Sequence, residues 1–174
     1  FVIIFINDRE KTLETLKKDY LLSGIKVIDA ASFIAGPSAA TIMSDYGAEV
    51  IKIEPQNGDS LRNLITNGRM PEGAENYCWE LTSRNKKSVS LNLKDQKAHN
   101  ILIDLIKEAD VFITNMPFPI RKKLKITSDD IRPHNAKLIY ASLTGYGEVG
   151  PYADRTAYDS VAWWARSGLM DFVR

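Results

Sequence analysis

The sequence has little of the chemistry on which disulfide-rich and metal-binding proteins depend. Its 174 residues include one cysteine, Cys78, and two histidines, His99 and His134. A single thiol excludes a disulfide framework, and neither histidine stands in a cluster with the spacing of metal ligands. We therefore expect no metal site, a reducing compartment, and structural roles for these three side chains.

Long apolar runs and an excess of charge of one sign are also missing. No run approaches the roughly 20 apolar residues that cross a bilayer. The formal net charge is +1, so no overall field attracts nucleic acid or an anionic membrane. No P-loop pattern is present, which argues against ATP hydrolysis. We expect neither membrane nor nucleic acid as a partner, and a cytoplasmic location (mitochondrial matrix or peroxisome if eukaryotic).

What the sequence does contain is an alternation of β-rich runs and helical patterns. This alternation predicts an α/β fold with a Rossmann-like, mostly parallel sheet and helices on both faces. Such sheets bind ligands beyond the carboxyl ends of their strands, which directs attention to the loops at 30–36, 54–60, 114–118 and 143–158. The predicted strands are 25–29, 49–54, 88–93, 110–114 and 137–142, and the main predicted helices are 37–46 and 95–108.

The segment GYGEVG matches the G-x-G-x-x-G pattern through Gly145, Gly147 and Gly150, and Asp171 follows at the spacing of a dinucleotide fingerprint. The fingerprint requires a helix that opens inside the motif, but Pro151 and YADRT follow instead. A nicotinamide site is therefore disfavoured. Two alternatives stay open: a glycine loop that allows close backbone approach to a ligand, and a loop that only needs positive φ.

Two basic clusters, SRNKKSVSLNLK and RKKLK, also admit two interpretations. Clusters of this kind are usually solvated faces. Alternatively, one or two of the cations contact phosphate groups of a nucleotide-like ligand. The pattern alone does not separate these alternatives.

Several segments taken in order resemble one family. These are LSGIKVIDAASFIAGPSAATIMSDYGAEVIKIE, GD at 58–59, RNKKSVSLNLK, ADVFITN, and LIYASLTGYGEVGPYADRTAYDSVAWWARSG. They resemble the amino-terminal half of the class III (CaiB/BaiF) coenzyme A transferases, whose relatives include formyl-CoA transferase, carnitine CoA-transferase and α-methylacyl-CoA racemase. We expect residues 1–20 to be an extension outside the resemblance, and 21–174 to be the first part of the large CoA-binding α/β domain.

The resemblance implies a set of residues that bind coenzyme A, which would be a substrate rather than a permanently bound cofactor. The loop after the first strand would contact CoA mainly through its backbone, so that no glycine-rich phosphate turn is needed. After the second strand a basic residue is usual, but Pro55 stands there. Lys123 replaces a phosphate-binding arginine of the family. The implied contacts are Ile34, Ala35, Leu91, Lys94, Asn115, Met116, Pro117, Lys123, Thr156, Ala157, Tyr158 and Asp159.

The resemblance also implies a mechanism and an assembly. CoA would move between an acyl-CoA thioester and a small carboxylic acid through an aspartyl anhydride, within an interlocked homodimer. The nucleophilic aspartate is expected downstream of Arg174, so neither Asp59 nor Asp159 is assigned that role and the fragment alone is expected to be inactive. An inactive CoA-binding module is thus one alternative.

The other alternative is a 2-methylacyl-CoA racemase of the same fold. Racemases of the family carry a proton-transferring histidine where this chain has Tyr158. Proton transfer at carbon needs a group whose pKa lies near the working pH, and tyrosine side chains ordinarily have pKa values of about 10. Tyr158 therefore favours the transferases.

Overall fold

A computed structural model describes residues 20–64, 71, 73 and 75–173, so the predicted extension at 1–20 lies outside the described residues except for Tyr20. The described strands form one five-stranded sheet in the order β3-β2-β1-β4-β5, and all neighbouring pairs are parallel. This confirms the predicted α/β class. The strands are β1 (Lys26–Asp29), β2 (Glu49–Glu54), β3 (Lys87–Ser90), β4 (Val111–Thr114) and β5 (Ile139–Ser142).

Helical segments connect successive strands. The predicted helices at 37–46 and 95–108 are present as α1 and α3, whereas no helix was predicted from the sequence at α2. The α-helices are α1 (Ala35–Asp45), α2 (Tyr77–Ser83), α3 (Gln96–Glu108), α4 (Phe118–Leu124) and α5 (Ser128–Ile131), and 3₁₀ turns occur at Ser60–Asn63 and Arg132–His134.

The ends of these helices follow from individual residues. Pro37 lies in the first turn of α1, and Gly47 follows its last turn with φ of +96°, a conformation that favours glycine. The carboxylate of Asp95 accepts hydrogen bonds from the backbone N–H groups of Lys97 and Ala98, which caps α3.

Strand residues alternate between two hydrophobic layers, one on each face of the sheet. Val27 of β1 packs in the layer beneath α1, together with Ala40. Its neighbour Ile28 packs in the opposite layer, with Leu102 of α3 and Phe112 of β4. The sheet is therefore covered by helices on both faces, as a buried parallel sheet requires.

The last described segment is not a regular α-helix, although the sequence AYDSVAWWARSG indicates a helix up to Gly168. Residues Ser160–Ala165 have π-helical geometry and Leu169–Val173 form a 3₁₀ turn, with Gly168 at φ of +83° between them. Neither segment contains a buried residue, so no tertiary packing enforces regular α-helical geometry there.

The two-layer core predicts a large cost for truncating its central aromatic side chain. Phe112 is fully buried between strands, and we expect Phe112→Ala to lower the free energy of unfolding by about 3–5 kcal/mol. Phe172→Ala removes the same ring from a side chain that is 86% exposed, and should change stability by less than about 0.5 kcal/mol. Urea titrations followed by far-ultraviolet circular dichroism measure both; equal losses would contradict the proposed core.

Candidate functional site

An open groove of about 1500 Å³ runs along the carboxyl ends of the strands. Its walls come from the segments that follow all five strands, at 32–35, 54–64, 91–94, 115–118 and 143–145, together with 153–158. It exceeds the roughly 300–1,000 Å³ typical of a site for a compact small molecule, so its size suits a long ligand.

Most of the residues that the sequence assigned to ligand binding lie on this groove. The stretch from Leu91 to Lys94, which the prediction placed partly in a strand, continues past β3 into the wall; Leu91 is buried and Lys94 is exposed. The predicted residues that line the groove are Ala35, Leu91, Lys94, Asn115, Met116, Pro117, Thr156, Ala157 and Tyr158.

Three predicted residues are absent from the lining. Ile34 precedes α1 and is half exposed, Lys123 lies exposed in the last turn of α4, and Asp159 is an exposed residue at the start of the π-helical segment. Pro55, which stands where the family usually has a basic residue, does line the groove and leaves no charge there.

The side chain of Asn115 joins the ends of β1 and β4. Its Oδ1 accepts a hydrogen bond from the backbone N–H of Ser32 at 2.9 Å, and its Nδ2 donates to the carbonyl oxygen of Ser32 at 2.7 Å. Both polar groups of the Ser32 backbone are thereby satisfied by one side chain. Asn115 thus fixes the wall that follows β1 relative to the wall that follows β4.

A cluster of four buried charges lies next to this wall. The side chains of Asp29, Lys52, Asp59 and Lys86 are each at most 3% exposed. Lys52 Nζ lies 3.1 Å from Asp59 Oδ2 and 3.7 Å from Asp29 Oδ2, and Lys86 Nζ lies 2.8 Å from Asp29 Oδ2. Two positive and two negative charges therefore compensate one another, as charges removed from water must.

Lys86 also holds three elements together. Besides Asp29, its ammonium group donates to the carbonyl oxygens of Pro37 in α1 and Thr82 in α2, at 2.6 and 2.8 Å. Burial lowers the pKa of Lys86 below its ordinary value, against the opposing attraction of Asp29. Lys86, which the sequence placed in a solvated or phosphate-binding cluster, is thus a buried residue that connects three elements of the fold.

A third buried carboxylate, Glu54, ends β2. Arg62 binds it with two hydrogen bonds of 2.6 Å, Ser88 donates its hydroxyl, and Asp59 donates its backbone N–H at 3.0 Å. The guanidinium group of Arg62 also lies 3.6 Å from the ring centroid of Trp79. Burial by itself raises the pKa of Glu54, but these hydrogen bonds and the charge of Arg62 outweigh it, so the pKa is lowered.

The glycine loop after β5 forms the opposite end of the groove. At Gly145 a Cβ atom would lie only 2.0 Å from Cβ of Ala157, so close packing of the two groove segments requires glycine there. Glu148 anchors the loop through an ion pair of 2.6 Å with buried Arg121 of α4. Residues 151–157 form no helix, so the context that a dinucleotide fingerprint requires is missing.

Sequence reasoning missed the buried charge cluster. Lys52 and Glu54 occur in EVIKIE, whose alternation resembles a half-exposed strand, yet both side chains are buried. Their burial could have been predicted from the position of the strand in the sheet. A central parallel strand is covered on both faces, so its polar side chains are buried along with its apolar ones. Lys and Glu in such a strand indicate buried partners.

Within the described ranges, no group of three or more histidine, cysteine, aspartate or glutamate side chains is placed to hold a metal ion. Among the same residues, no helix is long and apolar enough to cross a membrane. Cys78 is a free, half-buried thiol, and His99 Nε2 lies 3.2 Å from the carbonyl oxygen of Lys125.

Residues 22–173 match the profile of CoA-transferase family III. The chain belongs to this family. The match covers most of the chain and includes every wall of the groove, which confirms the family resemblance stated from the sequence.

Characterised relatives have names that describe CoA transfer. Over 154 residues the chain is 42% identical to (R)-2-hydroxy-4-methylpentanoate CoA-transferase of Clostridioides difficile, covering 88% of this chain and 39% of that protein. It is 41% identical over 156 residues to succinyl-CoA:glutarate CoA-transferase of Homo sapiens, covering 86% and 33%. The chain thus spans well under half the length of these relatives.

Solved structures show the same fold. A CaiB/BaiF family protein from Brucella suis superimposes with a TM-score of 0.78 at 31% identity, over 88% of this chain and 41% of that one. The orthorhombic form of Rv3272 from Mycobacterium tuberculosis gives a TM-score of 0.78 at 33% identity, over 86% and 41%.

The charge cluster predicts strong dependence on each member. Asp29→Asn leaves Lys52 and Lys86 with one compensating carboxylate, and we expect the free energy of unfolding to fall by roughly 3–5 kcal/mol. Asp104→Asn breaks an exposed pair with Lys107 and should cost less than about 1 kcal/mol. Urea unfolding of both variants tests this; a mild effect of Asp29→Asn would show that the cluster is not tightly coupled.

The lowered pKa of Glu54 predicts a specific pH dependence. Because the pKa is lower in the folded than in the unfolded chain, ionised Glu54 stabilises the fold above the ordinary value of 4.5, and this contribution is lost as pH falls through the folded-state pKa. Glu54→Gln should therefore flatten the acid side of the stability curve. Urea midpoints between about pH 6 and pH 3 measure this.

The variant Glu75→Gln provides the matched control, since it removes the same charge from an exposed side chain. It should keep the acid slope of the wild type. A Glu54→Gln slope equal to that of the wild type would refute the assignment of this pH dependence to Glu54.

Proposed function

We propose that this groove binds the coenzyme A part of an acyl-CoA thioester, and that the complete protein transfers CoA from the thioester to a small carboxylic acid. The observation that carries the proposal is the open groove at the strand ends, lined by nine of the twelve residues that the family resemblance implies for CoA. Relatives named for transfer between CoA thioesters and organic acids support the reaction class.

The charges along the groove suit a phosphorylated ligand. Its lining contains two cations, Lys94 and Arg155, and two carboxylates, Glu54 and Asp59. The carboxylates are buried and already compensated by Arg62 and Lys52, so they add little net negative potential. Lys94 and Arg155 therefore dominate the field that an anionic ligand meets. Lys123 lies outside the lining, and its contact with phosphate remains part of the proposal.

Covalent catalysis by a carboxylate fits the family, but the described aspartates do not fit that role. Among the described aspartates, the groove lining includes Asp59 alone, and its carboxylate is buried in an ion pair with Lys52. We therefore place the nucleophile outside the described residues. Its attack on the thioester would break the C–S bond, form an acyl-aspartyl anhydride and release CoA thiolate. The thiolate would then attack the aspartyl carbonyl carbon and release the donor acid. The acceptor carboxylate would displace the thiolate from the aspartyl carbonyl to form a second anhydride, and thiolate attack on the acceptor acyl carbon would yield the new thioester and regenerate the aspartate.

The racemase alternative receives no support from the geometry. The chain contains only His99 and His134, and neither lines the groove. Tyr158, at the position where the resemblance implies a histidine in racemases, does line it. The groove therefore lacks the imidazole that would exchange the α-proton near neutral pH.

Assembly as a homodimer is a further part of the proposal. The segment 158–173 exposes large apolar side chains to solvent, among them Trp163, Met170 and Phe172. Exposed apolar surface of this kind is typical of a protein–protein contact. A homodimer of the complete protein would cover it.

The groove predicts that removing a lining cation weakens CoA binding. We expect Lys94→Gln to raise the dissociation constant of CoA about fivefold, since an exposed charge contributes modestly to binding. Lys97→Gln removes the same charge three residues away, outside the lining, and should bind like the wild type. Isothermal titration calorimetry of the 174-residue chain with CoA measures this. No binding by the wild type, or equal affinity of both variants, would contradict the proposal.

A further inference from the structure

The groove wall after β1 contains a residue in an unfavourable backbone conformation. Phe33 has φ of 69°, in the left-handed region that residues with a Cβ rarely occupy. Phe33 lines the groove, and its neighbour Ser32 does as well. A conformation of this kind persists only where surrounding contacts determine it.

Those contacts come from the ends of the two neighbouring strands. Asp59, after β2, accepts a hydrogen bond on Oδ1 from the backbone N–H of Phe33 at 3.3 Å. Asn115, after β4, holds both polar backbone groups of Ser32. Two consecutive peptide groups of the wall are therefore fixed from opposite sides.

Asp59 is itself held rigidly. Its Oδ1 also accepts from the backbone N–H of Leu61 at 2.9 Å, and its Oδ2 pairs with Lys52 at 3.1 Å. Lys52 in turn donates to the carbonyl oxygen of Ala31 at 2.9 Å, which is the residue before Ser32. The carboxylate and the ammonium group thus bind the same short segment at two successive points.

This arrangement distinguishes Asp59 from a ligand-binding group. Its side chain is 3% exposed and both oxygens have partners within the protein, although it borders the groove. Buried ion pairs contribute little net stability compared with apolar packing, so a gain in stability does not by itself account for Asp59 at this position.

We propose that Asp59 is a positioning residue that holds Phe33 in its left-handed conformation, and thereby sets the shape of the groove wall that CoA contacts. The proposal rests on the proposed function of the groove. Lys52 forms an ion pair with Asp59, and Asn115 accepts a hydrogen bond from the backbone N–H of Ser32. The left-handed backbone turns the wall between the end of β1 and the start of α1.

The test compares Asp59→Ala with Asp59→Asn in the 174-residue chain, with two measurements. One is the dissociation constant of CoA, and the other is φ at residue 33 from backbone chemical shifts of labelled protein. Asp59→Ala should shift residue 33 to negative φ and weaken CoA binding about tenfold. Asp59→Asn should lower the stability as Asp29→Asn does, because it also leaves Lys52 and Lys86 with one carboxylate. In the folded protein the amide oxygen still accepts from Phe33, so residue 33 should stay left-handed and affinity should lie within about threefold of the wild type.

The surface variant Asp104→Ala serves as control and should leave both measurements unchanged, since its partner is the exposed Lys107. If Asp59→Ala does not fold, Phe33→Asn and Phe33→Val provide the same test. Both lose the ring, but asparagine tolerates the left-handed region and valine does not. Phe33→Asn should bind CoA about tenfold more tightly than Phe33→Val.

The outcomes separate this proposal from the proposed function. Three results would overturn the positioning role. The first is a left-handed φ at residue 33 in Asp59→Ala, and the second is an unchanged CoA affinity after φ has changed. The third is equal CoA affinity of the two Phe33 variants. If φ of residue 33 changes in Asp59→Ala but the wild type does not bind CoA, Asp59 does position residue 33, and the assignment of the groove to CoA is wrong.

Discussion

The strand order β3-β2-β1-β4-β5 is the constraint on which the site depends. The chain leaves β1 through α1 toward β2, and it later returns through α3 to β4 on the other side of β1. Connections that diverge from a central strand leave a crevice above its carboxyl end, which is the switch point of a doubly wound sheet. Every wall of the groove follows one of these strands. The position of the site is therefore a consequence of topology, and the side chains determine only its shape and charge.

The crevice would be loosely defined without the charges beneath it. Parallel strands this short end in loops whose backbone groups have no ladder partners. Asp59, Lys52 and Asn115 supply partners for the loop after β1, and Lys86 ties Asp29 to α1 and α2. Burying these charges is costly, and the balance of two lysines against two aspartates makes it tolerable. Buried polar groups therefore occur at the carboxyl ends of the strands, beside the groove, where a protein core would ordinarily be apolar.

Periodicity in the sequence was sufficient for the sheet, because β4 is an apolar run, β1 and β2 are rich in valine and isoleucine, and α3 carries a clear amphipathic stripe. It did not indicate α2, whose helix is stabilised by the cap at Asn76 and by packing on α1 rather than by an apolar period. The groove residues came from family resemblance, since backbone-lined walls have no side-chain signature. The buried cluster escaped notice because Lys52 and Lys86 have ordinary surface composition, and their burial depends on contacts between residues 23 to 57 positions apart. Such contacts are a property of the tertiary fold.

The central claim is that coenzyme A occupies the groove at the carboxyl ends of the strands. Chemical-shift mapping of the ¹⁵N-labelled chain during a CoA titration tests this directly. We expect shifts concentrated in the amides of 32–35, 91–94, 115–118 and 156–158, and unperturbed amides at the amino ends of the strands, near Lys26 and Glu108. Shifts confined to the amino-end surface, or scattered over the charged faces of the helices, would contradict the account.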